Sequence, residues 1–131
     1  MNQLPLFILI PGLAALEKNL RIALRPIDMS TRNSIITELR PVLEELADAT
    51  FFEKGNLAMR LLDIREGMHA NKRLWHAVGI QRRGRQNQVL LDGVLTALVV
   101  ALVKNRGLTK YLLGAIGSPY IQKIDLPPAR K

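Results

Sequence analysis

Apolar residues recur along this chain at the three-and-four spacing of helices rather than the alternation of strands. Leu13, Leu16, Leu20, Ala23 and Leu24 fall on one face, opposite Glu17, Lys18, Arg21 and Arg25, and Pro26 predicts the end of that helix. Asp28, Ser30 or Thr31 can cap a second helix, with Ile35, Ile36, Leu39, Val42, Leu43, Leu46, Ala49 and Phe52 at bundle spacing as far as Gly55. Pro41 lies inside it, so the pattern predicts either a kink or two shorter helices, the second starting at Pro41. Asn56 is the candidate cap of a third helix through Leu57, Leu61, Ile64 and Met68, which Gly67 closes or bends.

A fourth helix is predicted from Met68 to Val78, ended by Gly79. It sets Met68, Leu74, Trp75 and Val78 on one side and His69, Lys72, Arg73 and His76 on the other. Gln81 to Gln86 then reads as a loop. Val89 to Val103 is apolar nearly all round, which predicts the central helix of a bundle or a helix with one face covered by another chain; Lys104 and Arg106 suit its C-terminal dipole. Leu108 to Ile116 is a last short helix.

The ends read differently. Pro5 and Pro11 forbid a continuous helix over Met1 to Gly12, so this apolar arm is extended, either folded back as a short strand over its own core or covered by a neighbouring subunit. Ser118 to Lys131, with Pro119, Pro127 and Pro128, reads as a second extended arm. The fold class predicted is all-α: a small bundle of five to six helices over residues 13–117, with arms at 1–12 and 118–131. Composition agrees, because 48% hydrophobic but only 5% aromatic residues leave a core of Leu, Ile, Val, Ala and Met, which favours helices, and 131 residues suffice for one domain.

Neither apolar run predicts a membrane span. Leu6 to Ile10 is too short and has no basic segment before it, and Val89 to Val103 is interrupted by Asp92, Gly93 and Thr96, against the ~20 apolar residues a span needs. Without cysteine there is no disulfide, thiolate nucleophile or cysteine metal site; an intracellular or virion setting is compatible.

Charge adds the one chemical signal. Met1 to Glu66 holds 8 Lys+Arg against 9 Asp+Glu, whereas Gly67 to Lys131 holds 11 against 2. Within that half, Gly67 to Gln88 carries Lys72, Arg73, Arg82, Arg83 and Arg85 with no acidic residue. Guanidinium forks grip phosphate oxygens through paired hydrogen bonds, and neutralising several phosphates at once releases their counterions, so the segregation points to a polyanion. Lys72, Arg73, His76, Arg82, Arg83 and Arg85 are the candidate phosphate contacts, assisted by Lys18, Arg21 and Arg25 on the first helix.

Enzyme constellations are missing: no phosphate-loop, HExxH, GxSxG or GxGxxG pattern occurs. His69 and His76 stand two turns apart with no acidic ligand between them, so neither metal nor cofactor is expected. Trp75 reads as a core anchor before a base-stacking platform. The carboxylates Glu38, Glu44, Glu45, Asp48 and Glu53 read as a solvated face or the complement of a basic neighbour.

A small, cysteine-free, basic helical chain with Pro-bounded arms, a long helix holding Pro41 between Thr31 and Lys54, and the apolar helix Val89 to Val103 resembles the major capsid proteins of archaeal filamentous and rod-shaped viruses. It is also similar in architecture to the helical small subunits of CRISPR effector complexes. The capsid resemblance implies a non-enzymatic structural protein of the virion that self-assembles, alone or with a related subunit, on double-stranded DNA. Such a protein coats the polymer through its backbone, without sequence recognition. The chain departs from the capsid pattern in its charge-balanced N-terminal half. A small adaptor whose basic face binds an acidic protein is the other expectation.

Overall fold

A computed structural model of the chain describes residues 6–79 and 85–117; for 78, 79 and 85–90 it describes the backbone alone. The expectations for Arg82, Arg83 and the C-terminal arm lie outside these residues. The order of elements is β1 (Phe7–Leu9), α1 (Leu13–Ala23), α2 (Met29–Ala49), β2 (Phe51–Glu53), α3 (Lys54–Ala70), α4 (Lys72–Gly79), α5 (Arg85–Leu102) and α6 (Arg106–Ile116). The all-α bundle is thus as predicted, with one two-stranded ribbon added.

That ribbon decides the fate of the N-terminal arm from Leu6 onward. β1 folds back and pairs antiparallel with β2, Phe7 opposite Glu53, Ile8 opposite Phe52 and Leu9 opposite Phe51. Ile8 and Ile10 enter the core while Phe7 and Leu9 face solvent, as the two-residue period of a strand requires.

α1 stops at Ala23, so Arg25 stands in the following turn rather than on the helix. α2 begins where Asp28 accepts a hydrogen bond from the Thr31 backbone N–H at 3.1 Å, and that bond holds the Asp28 carboxyl below its ordinary value. The helix then runs unbroken through Pro41. Pro41 removes one N–H from the ladder at a cost of about 3 kcal/mol, but Ile35, Ile36 and Leu39 before it and Leu43 and Leu46 after it are all buried, and that packing carries the helix across.

Predicted boundaries after α2 are displaced. Thr50 takes a positive φ of 67° and ends α2, so Phe51 and Phe52 leave the helix for the ribbon. Glu53, not Asn56, caps α3: its carboxylate accepts from the Asn56 N–H at 3.0 Å, one turn earlier than expected. Gly67 does not close α3, which continues to Ala70 because Met68 buries its side chain in the core. Arg106 opens α6 instead of trailing α5, since Asn105 caps α6 by accepting from the Leu108 N–H at 3.0 Å.

α5 is the axis of the fold. It packs against α1, α3, α4 and α6, and Leu91, Val94, Leu95, Ala97, Leu98 and Val99 are buried along it. At roughly 1.5–3 kcal/mol for each buried Leu, Ile or Val side chain, this helix supplies a large share of the hydrophobic stabilisation. α2 completes the bundle by packing on α1 and α4. No helix among the described residues is long and apolar enough to cross a membrane.

Candidate nucleic-acid interface

The basic cluster is built on α4, an eight-residue helix that cannot hold itself together in isolation. Its start is fixed locally: Asn71 accepts from the Leu74 N–H through its side chain at 3.1 Å and from the Trp75 N–H through its carbonyl at 3.0 Å. Leu74 is fully buried and Trp75 half-buried against the core, so the apolar side of α4 faces inward. Lys72, Arg73 and His76 are thereby left exposed within about 100° of one another around the helix.

His69 does not belong to this face. Because α3 runs to Ala70, His69 sits one helix earlier and turns toward α5, where its Nε2 lies 3.1 Å from Oδ1 of Asp92. Arg65, one turn before it, donates from Nε to the same oxygen at 3.3 Å. Asp92 is 1% exposed, and an ionised carboxylate so placed requires such partners. The carbonyl of His69 then accepts from Trp75 Nε1 at 2.7 Å, so a chain of polar contacts runs from α5 through α3 to α4. This network holds the basic helix in place. The sequence signalled it only as a lone Asp in an apolar helix, which had to have a partner that could not be named.

Arg85 opens α5 and is not part of a loop; Arg85, Gln86, Asn87 and Gln88 form its first turn, and no breaker stands between Gly84 and Val89 apart from the weak helix former Asn87. The Arg85 backbone therefore enters the helix that α4 packs against.

Lys18, Arg21 and Arg25 are exposed as expected. Arg21 donates to Asn33 at 2.6 Å, which ties it to the start of α2. α1 and α4 each pack on α2 and on α5.

Three of the arginines elsewhere pair with carboxylates of the same molecule, while Arg32 donates to the Ile27 carbonyl and Arg106 is exposed. Arg40 pairs with Glu17 at 2.6 Å, Arg60 with Glu45, and Arg65 with Asp92. Of the acidic face, Glu45 answers a basic neighbour and Glu53 is a cap, while Glu44 and Asp48 line an open groove with Leu13 and Pro41. Lys72, Arg73 and His76, in contrast, have no ion pair or side-chain hydrogen bond among the described residues. No group of three or more His, Cys, Asp or Glu that could hold a metal ion occurs among the described residues. Compared with protein-family models, with curated proteins and with solved structures, the chain matches none.

Proposed function

We propose that this chain is a non-enzymatic structural protein that coats nucleic acid, double-stranded DNA in the first place, through sequence-independent phosphate contacts. The observation that carries the reading is the clustering of Lys72, Arg73 and His76 on one exposed face of α4 with no ion pair among the described residues, whereas Arg40, Arg60 and Arg65 answer carboxylates of the chain itself. A docked helix whose outer face is only basic loses no internal partner on binding, and the phosphates it neutralises release their counterions. Arg85, with Arg82 and Arg83 beside it in sequence, extends the contact, and Lys18, Arg21 and Arg25 assist.

Copies laid along a polymer in this way form a nucleoprotein filament, as in a helical capsid, and a virion is the setting that reading implies. Contacts to the backbone alone position a protein without reading bases. Fluorescence anisotropy with duplexes of unrelated sequence, titrated against salt, is the test. The expected result is the same affinity for each duplex and a log–log salt slope of about −0.9 per phosphate neutralised. A slope near zero, or binding restricted to one sequence, would overturn the reading.

A further inference from the structure

Among the described residues β1 presents an open edge. Leu6 accepts through its carbonyl from Lys54, and Ile10 donates its N–H to Thr50, so the even-numbered residues of this segment turn their main-chain groups toward β2. By the two-residue period, the N–H and C=O of Phe7 and Leu9 point the opposite way. They have no partner among the described residues. Beside these groups the side chains of Leu6, Phe7, Leu9 and Phe51 are exposed, Leu9 to 80%, with the Phe7 and Phe51 rings in edge contact at 5.9 Å. Edge strands are ordinarily blunted by a lysine, a proline or a covering segment. β1 carries no charge from Leu6 to Ile10, whereas the opposite strand carries Glu53 and runs straight into α3.

From this geometry we infer that a second copy of the chain pairs with the free edge of β1, antiparallel, about a two-fold axis through Ile8. The sequence is self-complementary about that residue: Pro5-Leu6-Phe7-Ile8-Leu9-Ile10-Pro11 reads with the same residue classes in both directions. Two-fold pairing sets Phe7 opposite Leu9 of the second copy and Leu9 opposite its Phe7, and each pair exchanges both N–H···O=C bonds. Prolines three residues either side of Ile8 have no N–H to offer, so the ladder ends symmetrically after those four bonds. On the outer face Phe51, Leu9 and Phe7 of the second copy fall in one row, which joins two exposed apolar patches into one.

The area limits how far the contact can exceed the cost of association. With Phe7 and Phe51 each 53% exposed, the four side chains leave roughly 400 Å² in water, about half of the ~800 Å² per partner of a standard interface. The dimer is therefore weak, with dissociation on the micromolar side. On a polymer that holds copies side by side, effective concentration populates the same contact fully. That last step rests on the proposed function; the pairing itself does not.

The test uses the full chain free of nucleic acid, by sedimentation velocity from about 5 to 500 µM, spanning the weak range, with amide hydrogen exchange at both ends of the series. The expected result is a shift from monomer to dimer, with the Phe7 and Leu9 amides gaining at least tenfold protection while Ile8 changes little. Leu9→Lys, at an exposed side chain, and Leu9→Pro, whose missing N–H is an outward one, are expected to keep the chain monomeric at its original helix content. They should bind duplex DNA at low occupancy as the parent does. A parent that stays monomeric throughout, a dimer in which those two amides gain no protection, or a dimer unaffected by Leu9→Lys overturns the inference. Loss of DNA binding in the parent with the dimer intact would instead count against the coating function alone.

Discussion

The Nε2 of His69 and the Oδ1 of Asp92 lie 3.1 Å apart across the junction of α3 and α5, although 23 residues separate them in the chain. A carboxylate only accepts, so Nε2 carries the proton of this bond, and the imidazole is held with its own carbonyl aimed at Trp75 Nε1 at 2.7 Å. The basic helix is therefore fastened from behind by a polar network, while its outer face makes none.

Removing the acid at the root of that network has a calculable consequence. Asp92→Ala leaves Arg65 and His69 without their shared acceptor, but their side chains are 31% and 23% exposed and can be partly rehydrated. The loss is therefore expected at about 2 kcal/mol, below the ~3–5 kcal/mol of a wholly buried pair. Urea denaturation measures it. Trp75→Phe, which deletes the indole donor but keeps the ring, is expected to cost about 1 kcal/mol. A cycle with Asp92→Ala should show the two effects to be coupled.

Lys72→Ala and Arg73→Ala separate binding from folding. Neither side chain has an internal partner among the described residues, so thermal stability should move by less than about 0.5 kcal/mol. Binding to duplex DNA should weaken, and the log–log salt slope should flatten by about one for each residue that touches a phosphate. The same affinity and slope in the double variant would place the contact elsewhere on the chain.

Helix spacing made most of the fold legible, because each helix buries a stripe that the sequence shows directly: Leu16 and Leu20, Leu39, Leu43 and Leu46, Leu57 and Leu61 all lie inside. What depended on distant contacts was not legible. Gly67 reads as a breaker locally, yet Met68 is held in the core beyond it, so His69 moved from the basic face to α3. Phe51 and Phe52 fit a helical stripe as well as a strand, and only β1 arriving from the other end of the chain made them a ribbon. For the candidate site, the residue types on α4 were readable and their fastening was not. Arg65, His69 and Asp92 come together through tertiary packing alone.

Thr50 offers a backbone test of the α2–β2 junction. A β-branched residue at φ 67° is strained, on the order of 1 kcal/mol or more. It is held there by its N–H donating to Ala47 and its carbonyl accepting from Ile10. Thr50→Gly should relieve that strain, offset in part by the greater freedom of glycine in the unfolded chain, for a net gain of up to about 1 kcal/mol. Thr50→Pro cannot reach a positive φ and also loses the N–H, so it should destabilise by more than glycine stabilises. Calorimetry of the two variants against the parent decides the sign; a glycine variant less stable than the parent would mean that the strain at Thr50 is smaller than the entropy glycine adds to the unfolded chain.

The start of α2 gives a prediction in pH. The Thr31 backbone N–H, donating to Asp28, holds that carboxyl below its ordinary 3.8, with a smaller contribution from the Arg32 charge. A group whose folded value is depressed contributes stability above its unfolded value and loses it as pH falls through the folded one. The Asp28 contribution is thus complete above about pH 5 and fades on acidification below the ordinary carboxylate value. Asp28→Asn keeps an acceptor for the Thr31 N–H without a charge to titrate. Relative to that variant, the parent should be at least as stable near neutrality and lose its advantage below pH ~4, whereas Asp28→Ala should be less stable than Asp28→Asn at every pH. Thermal melts of the three chains across this range measure the difference. If it does not depend on pH, the Asp28 carboxylate takes no part in capping α2.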